Sequence, residues 1–243
     1  MQYVGATDNG KVRSANEDSF LAFYCDEVFY GVVADGMGGH NAGEVASNEA
    51  IIAFKKSVCE NNTLPIPEKL VMAIKDANTR LFKMTVDNPA LVGMGTTLTA
   101  CAVFDGIAWF ANVGDSRGYH ITESIKQITK DHSLVQELID GGDITLEESK
   151  AHPQRNVITR AIGTTPVVLV DVFEIPFLPG ETVLLCSDGL TNAVTDSKIL
   201  RIVQKERNIE TVASKLIAEA NEAGGHDNIT ALIIRAEEEA QVK

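Results

Sequence analysis

The stretch Val28-Phe29-Tyr30-Gly31-Val32-Val33-Ala34 is apolar at successive positions and runs directly into Asp35-Gly36-Met37-Gly38-Gly39. A strand that does not alternate between apolar and polar residues must be covered on both faces. The stretch Thr182-Val183-Leu184-Leu185-Cys186 has the same pattern and precedes Ser187-Asp188-Gly189. The sequence therefore predicts sheets that lie inside the protein, with another layer on each face.

Helical patterns are bunched between groups of strands and do not alternate with single strands. The stretches Thr96 to Phe104 and Ile107 to Val113 are separated by Asp105-Gly106, a pair typical of a tight hairpin turn between antiparallel strands. These patterns predict an α+β fold of the α/β sandwich type, with two packed antiparallel β-sheets flanked by α-helices on both outer faces. Four helices are predicted outside the loops: Ala42 to Val58, Pro67 to Val86, Asp196 to Arg207 and Glu210 to Ala223.

The length and composition are those of a globular protein, with 243 residues, 44% hydrophobic and 23% charged. The formal net charge of −13 at pH 7 disfavours nucleic acid and anionic membranes as partners. No apolar run approaches the roughly 20 residues that span a bilayer, and the first residues do not resemble a signal peptide. We therefore expect one domain over residues 1–243, no nucleic-acid partner, no membrane insertion and a cytoplasmic location.

The four cysteines are widely spaced, and no pair has the Cys-x-x-Cys spacing. Three of them lie in or beside apolar runs. A cytoplasmic protein of this size also needs no disulfide bonds for stability, because its hydrophobic core is large enough to stabilise the fold. We therefore expect reduced core residues, and neither a disulfide nor a zinc site, at Cys25, Cys59, Cys101 and Cys186.

Aspartates recur at the ends of the apolar runs, three of them after a predicted strand and two before one. In an antiparallel sheet, the end of one strand lies beside the start of its neighbour, so these carboxylates are predicted to converge on one edge of the sheets. Magnesium and manganese prefer oxygen ligands of this kind. The pattern indicates a site for hard metal ions formed by Asp18, Asp35, Asp115, Asp188 and Asp227.

Two further features suggest what such a site would act on. Asp35-Gly36 combines a carboxylate that can bridge two cations with a backbone carbonyl that can also ligate, and this would hold two ions roughly 3.5–4 Å apart with a shared water. Arg13 lies five positions before Asp18, and a guanidinium binds phosphate oxygens in a bidentate way. A surface ion pair is the alternative interpretation of Arg13, and a turn cap is the alternative for Asp115.

Seven motifs occur in an order that is informative as a set. On these motifs the chain resembles the metal-dependent type 2C protein serine/threonine phosphatases, and most closely their compact bacterial branch. The resemblance extends from about Gly5 to Arg235, which is almost the whole chain. The motifs are Arg13 with Asn16-Glu17-Asp18, Val33-Ala34-Asp35-Gly36-Met37-Gly38-Gly39-His40, Gly93-Met94-Gly95-Thr96-Thr97, Asn112-Val113-Gly114-Asp115-Ser116-Arg117, Ile158-Thr159-Arg160-Ala161-Ile162-Gly163, Leu185-Cys186-Ser187-Asp188-Gly189-Leu190 and Gly224-Gly225-His226-Asp227-Asn228-Ile229-Thr230.

The resemblance implies a site for two ions of Mn²⁺ or Mg²⁺. By this resemblance Asp35 bridges the two ions, Asp188 and Asp227 ligate one of them, and the carbonyl of Gly36 ligates the other. Two further carboxylates would support the second ion, largely through water: Asp18 and Glu17. The matching positions are all present in this sequence.

The resemblance also implies roles around the two ions. Asp115, together with Asp188, would hold a weaker third ion, and Arg13 would bind the substrate phosphate. Many eukaryotic members have a histidine directly after the Asp-Gly pair, whereas this chain has Met37 there and His40 three positions later. His40 is therefore a candidate general acid, and a local structural role or a water on the third ion is the alternative. The polar segment at about 130–156 would be the family's flap insertion.

The implied function is hydrolysis of phosphoserine and phosphothreonine in proteins by direct attack of metal-bound hydroxide, without a phosphoenzyme intermediate. Such an enzyme would oppose a bacterial serine/threonine kinase, so phosphoproteins and a cognate kinase are the expected partners. Two alternatives stay open. One is a catalytically silent phosphoprotein-binding module on the same fold, and the other is a hydrolase of small phosphate esters.

Overall fold

A computed structural model of the protein describes residues 1–38, 42–61 and 63–237. These residues form strands whose apolar runs are mostly those that the sequence predicts, although several additional strands are present. The strands are β1 (Gln2–Asp8), β2 (Asp18–Cys25), β3 (Val28–Met37), β4 (Gly95–Thr96), β5 (Leu98–Phe104), β6 (Ile107–Val113), β7 (Arg117–Ile121), β8 (Ile125–Gln127), β9 (Asp171–Pro176), β10 (Thr182–Cys186) and β11 (Ile229–Arg235).

The helices fall into two pairs and three short pieces. The four predicted helices are confirmed, with ends that differ from the predicted ones by up to two residues. No helix in the described ranges is long and apolar enough to cross a membrane. The helices are α1 (Ala42–Glu60), α2 (Ile66–Asp87), α3 (Leu134–Gly141), α4 (Leu146–Lys150), α5 (Asp188–Thr191), α6 (Asp196–Lys205) and α7 (Ile209–Glu222), with a 3₁₀ turn at Pro89–Leu91.

The strands form two sheets in which all the strand pairs are antiparallel. The first sheet has the order β1-β11-β10-β7-β8, and the second has the order β2-β3-β5-β6-β9 with β4 paired to β3. Asp105 and Gly106 join β5 to β6 with φ angles of 47° and 73°, as a type I′ hairpin turn requires. The predicted hairpin is therefore confirmed.

Three apolar layers show that the sheets are packed face to face with helices outside. The middle layer lies between the sheets and includes Phe29, Phe110 and Leu185. One outer layer packs α1 and α2 against the second sheet, and the other packs α6 and α7 against the first sheet. Gly31 allows the sheets to approach closely, because a Cβ atom there would lie 2.9 Å from Ile234 Cδ1. The predicted α+β sandwich is confirmed.

The prediction of four reduced cysteines is wrong for one pair. Cys25 at the end of β2 and Cys59 near the end of α1 form a disulfide, with their Cα atoms 5.7 Å apart. The sequence separation of 34 residues does not reveal this pairing, because it arises only when α1 packs along β2. Cys101 and Cys186 are buried free thiols, in agreement with the prediction for those two.

The polar segment between β8 and β9 contains two short helices. Ser133 caps α3 by accepting a hydrogen bond from the N–H of Gln136, and the polar composition with a short helical pattern at Ser133 to Ile139 predicts this helix. Helix α4 was not predicted, although its capping box of Thr145 and Glu148 has a recognisable sequence spacing. The interpretation of residues 130–156 as a flap insertion in one domain stays a prediction.

Candidate metal centre

Asp18 and Asp35 are directly opposite each other in the β2–β3 ladder. Directly opposed side chains of an antiparallel pair lie on the same face, with Cβ atoms about 4.5–5.5 Å apart. Asp18 is the first residue of β2, while Asp35 lies inside β3, which continues to Met37. The interpretation of Asp35 as following its strand was therefore wrong by three residues, because Gly36 and Met37 still pair with β4.

Asp188 and Asp227 lie at the same end of the sandwich on the other sheet. Asp188 begins α5 just after β10, and Asp227 comes two residues before β11, which pairs with β10. A Cβ atom on Gly189 would lie 2.0 Å from the carbonyl oxygen of Asn228, so only glycine lets the start of α5 lie against this segment. The charge of Asp188 is among the causes that raise the pKa of Asp35, so the carboxylates of the two sheets lie close to each other.

Asp115 completes the cluster from the end of β6. Its side chain is buried, with 7% of the residue exposed. After burial itself, Asp188 is the strongest influence on the Asp115 pKa. The structure therefore brings together the five aspartates that the sequence singled out, and their role as metal ligands stays a prediction.

Burial and mutual repulsion raise the pKa values of the clustered carboxyl groups. Burial is the larger cause in each case, because a carboxylate without bulk water around it is costly to ionise. It raises the pKa of Asp18 to about 7, that of Asp115 to about 8 and that of Asp188 to about 6. The pKa of Asp35 is raised well above its ordinary value by burial and then by the charges of Asp18 and Asp188. A divalent cation would relieve this repulsion.

Three oxygen atoms in the cluster are buried and have no hydrogen-bond partner in the described structure: Asp18 Oδ1, Asp115 Oδ1 and Asp188 Oδ1. Buried polar atoms are otherwise almost always paired. Among the described residues, no three His, Cys, Asp or Glu side chains are grouped closely enough to enclose an ion unaided. Magnesium and manganese retain water and accept carbonyl oxygen, so an incomplete set of oxygen donors fits these ions.

Glu17 and Gly36 are held together at the start of α1. The Gly36 N–H donates to the carbonyl of Glu17 at 3.1 Å, and the Glu17 carboxylate lies against Gly43, where a Cβ atom would be 2.5 Å from Glu17 Oε1. A Cβ atom on Gly36 would lie 2.1 Å from the Gly43 carbonyl oxygen. The backbone at Gly36 therefore has no room for a side chain. Burial raises the pKa of Glu17.

Arg13 lies at the rim of the cluster and pairs with one of its carboxylates. Its Nη2 atom is 2.9 Å from Asp227 Oδ2, and 49% of the arginine side chain is exposed. Burial lowers the pKa of Arg13, but the carboxylates of Asp227, Glu17 and Asp35 together outweigh this effect and the net shift is upward. The guanidinium group thus stays charged and faces solvent beside the aspartates. His40, the candidate general acid, lies outside the described residues.

The sequence analysis did not identify the residues that hold the aspartates in place. Ser187 Oγ donates to Asp18 Oδ2 at 2.7 Å, and Thr97 Oγ1 accepts from the Asp35 N–H at 2.9 Å. Asn228 Oδ1 accepts from the Glu17 N–H at 2.8 Å. Ser187 and Asn228 directly adjoin Asp188 and Asp227 in sequence. Their position beside these aspartates could have identified them from the sequence. Their hydrogen-bond partners, Asp18 and Glu17, lie 169 and 211 residues away.

The protein phosphatase 2C family model matches residues 8–214. Serine/threonine phosphatase stp of Listeria innocua is 40% identical over 234 residues, which are 94% of this chain and 93% of that protein. The crystal structure of the serine/threonine phosphatase Stp1 from Staphylococcus aureus is 39% identical with a TM-score of 0.92, covering 98% of this chain and 95% of that one. The catalytic domain of the serine/threonine protein phosphatase PstP in complex with two manganese ions is 35% identical with a TM-score of 0.84, covering 98% of each chain. The chain therefore belongs to the protein phosphatase 2C family.

Proposed function

We propose that the buried aspartates hold two divalent ions, Mn²⁺ or Mg²⁺, in a metal-dependent protein serine/threonine phosphatase. The observation that carries this proposal is the set of buried, unpartnered carboxylate oxygens at one end of the sandwich. Asp35 is central in this arrangement, since it faces Asp18 across the strand pair and lies close enough to Asp188 on the other sheet for their charges to interact. It is therefore the residue suited to bridge the ions. The remaining ligands would be Asp18, Asp188, Asp227, Glu17 and the carbonyl of Gly36.

Bound divalent ions supply Lewis-acid activation of water and neutralise phosphate charge. The protein's own contribution to substrate binding is the guanidinium group of Arg13, which is charged and half-exposed at the rim. Its distance of 2.9 Å from Asp227 places a phosphate bound to Arg13 directly beside the carboxylates. Arg13 would thereby bind and orient the phosphate over the aspartates. This contact exists in the ground state, so it mainly lowers KM.

Three finer assignments belong to the same proposal. Asp115 with Asp188 would hold a third, weaker ion, because Asp115 lies beside Asp188 with one buried oxygen free of hydrogen bonds. His40 would protonate the leaving alcohol, with water at the third site as the alternative. Glu17 would support the second ion through water.

The proposed substrates are phosphoserine and phosphothreonine residues of proteins. Relatives that match this chain over nearly their whole length are named serine/threonine phosphatases, which supports a phosphoprotein substrate. The kinase whose products the enzyme would hydrolyse is a serine/threonine kinase, and the proposed location is the cytoplasm. A catalytically silent module is disfavoured because all of the aspartates of the cluster are present.

The test compares turnover of phosphothreonine peptides with turnover of sugar phosphates and nucleotides. Preference for the peptides is the expected result, and a strong preference for the small esters would overturn the protein substrate. Asp35→Asn should abolish turnover while retaining the folded state. The matched control is Asp105→Asn at the hairpin turn at the end of β5, where asparagine tolerates the positive φ of 47°. Full turnover in Asp35→Asn would contradict its assignment as a ligand.

A further inference from the structure

Three consecutive residues at the start of the flap, 130–132, are bonded to the loop of residues 112–117 that carries Asp115. We call the first segment the flap base and the second the Asp115 loop. The contacts involve a backbone carbonyl, a carboxylate and an imidazole, so each is chemically different. They are Asn112 Nδ2 to the Lys130 carbonyl at 3.0 Å, Arg117 Nη2 to Asp131 Oδ2 at 2.7 Å, and the Gly114 N–H to His132 Nδ1 at 3.0 Å.

His132 makes the contact closest to Asp115. Its side chain is buried, with 6% of the residue exposed. In addition to accepting from the Gly114 N–H, it donates its own backbone N–H to the Gly114 carbonyl at 2.9 Å. Gly114 itself has a φ of 111°, and a Cβ atom there would lie 2.5 Å from Thr97. Both backbone polar groups of the residue before Asp115 are therefore bonded to His132.

The other side of the His132 ring reaches Arg160 and Asp171, which follow the flap in sequence. Because Nδ1 accepts from Gly114, a neutral ring carries its proton on Nε2, which lies 3.3 Å from Asp171 Oδ2. Asp171 also accepts from Arg160 at 2.8 Å, and Arg160 Nη1 lies 2.9 Å from Nε2. Two donors cannot bond to each other, so the Asp171 carboxylate holds both. The Thr159 N–H donates to the His132 carbonyl at 2.9 Å.

We propose that His132 is a positioning residue that fastens the flap base and the segment following the flap to the Asp115 loop, so that metal binding at Asp115 and anchoring of the flap depend on the same side chain. This inference rests on the proposed function in one respect, namely that Asp115 holds a metal ion. Residues that orient metal ligands through hydrogen bonds typically change metal affinity by about 10–100-fold when they are removed. His132 acts here on the backbone that carries the ligand.

Two substitutions separate the two halves of this role. His132→Ala removes both the Nδ1 acceptor and the contact with Asp171. His132→Asn places an amide oxygen near the position of Nδ1, so it keeps an acceptor for the Gly114 N–H but is too short to reach Asp171. The matched control is His120→Ala, which removes another largely buried histidine bonded to a carboxylate, Glu181, at 2.9 Å, away from the flap.

Two measurements that do not need turnover report the result. Isothermal titration calorimetry of metal-free protein with Mn²⁺ measures affinity, and limited trypsin digestion measures cleavage after Arg155, an exposed residue of the flap. In His132→Ala we expect the weakest class of Mn²⁺ sites to lose about tenfold in affinity, together with faster cleavage after Arg155. In His132→Asn we expect most of the Mn²⁺ affinity to return while cleavage stays fast.

Unchanged Mn²⁺ affinity in His132→Ala, relative to His120→Ala, would overturn the proposal, and so would an unchanged cleavage rate. If circular dichroism shows that His132→Ala does not fold, the proposal is tested with His132→Asn alone. It must then bind Mn²⁺ like the wild type and be cut faster, and equal cleavage rates would overturn the coupling. Absence of turnover in the wild-type protein would count against the proposed function only, since neither measurement uses a substrate.

Discussion

Replacing Asp18 by asparagine should stabilise the metal-free protein at alkaline pH, even though it removes a residue of the candidate metal centre. Asp18 is buried, and its pKa is raised to about 7 by burial, against an ordinary value of 3.8. Asparagine keeps the shape and the oxygen that accepts from Ser187. Its amide group can donate to the neighbouring carboxylates, whereas the Asp18 carboxylate can only repel them.

The magnitude follows from the difference between the two pKa values. A raised pKa in the folded state means that wild-type stability is fully present below pH 3.8 and is lost as the pH rises through about 7. Three pKa units correspond to about 4 kcal/mol at 1.36 kcal/mol per unit, and this is a ceiling because the neighbouring carboxyl groups readjust. For a domain of this size, 1 kcal/mol shifts Tm by about 2–4 °C.

The assay is thermal unfolding of both proteins in EDTA, followed by circular dichroism. At pH 8.5 the Tm of Asp18→Asn should exceed that of the wild type by at least about 4 °C, which corresponds to roughly a third of the ceiling or more. At pH 5 the gain should be less than half of that at pH 8.5, because folded Asp18 is then still protonated and the pH exceeds its ordinary pKa of 3.8 by only about 1.2 units. A lower Tm for the variant at pH 8.5, or an equal gain at both pH values, would refute the reasoning.

Three further outcomes are expected. Arg13→Ala should raise KM for a phosphothreonine peptide about tenfold or more with a smaller change in kcat, because it removes a charge-assisted contact in the ground state; steady-state kinetics with an unchanged KM would assign Arg13 to its ion pair with Asp227 alone. Gly36→Ala should lower Tm in EDTA by several degrees, since its Cβ atom would lie 2.1 Å from the Gly43 carbonyl oxygen; a Tm equal to the wild-type value would show that the backbone can move aside. The rise in Tm on adding Mg²⁺ should be larger at pH 8 than at pH 6, because protons on carboxyl groups with pKa values of about 6 to 8 compete with the ion; equal rises in thermal scans would contradict this competition.

Most of the strands that were predicted from the sequence are buried on both faces, although β2, which begins at Asp18, lies at a sheet edge and is partly exposed. The runs in β3 and β10 are almost entirely buried, so their composition alone indicates a central position. By contrast, β1 and β9 lie at sheet edges and are partly exposed, and their mixed composition gives no clear period. The Cys25–Cys59 disulfide was missed for another reason, because it depends on how α1 packs against β2 and no local pattern records that.

The position of the aspartates was predictable because antiparallel topology places strand ends beside strand starts. Asp18 and Asp35 lie opposite each other, as that rule predicts once β2 and β3 are recognised as neighbouring strands. What the sequence could not provide is the set of contacts between distant segments. Arg13 and Asp227 are 214 residues apart, and His132 contacts both Gly114 and Asp171, so these pairings depend on tertiary packing.

The most direct test of metal-dependent protein phosphatase activity is phosphate release from a phosphothreonine peptide by metal-stripped protein. Mn²⁺, Mg²⁺ and Ca²⁺ are added back separately, with the Asp35→Asn variant as the control for contaminating activity. The account predicts no release without metal, and release restored by Mn²⁺ or Mg²⁺ in the wild type but not in the variant. Tight metal binding without any release would contradict it and would favour a phosphoprotein-binding module or a different phosphate ester as substrate.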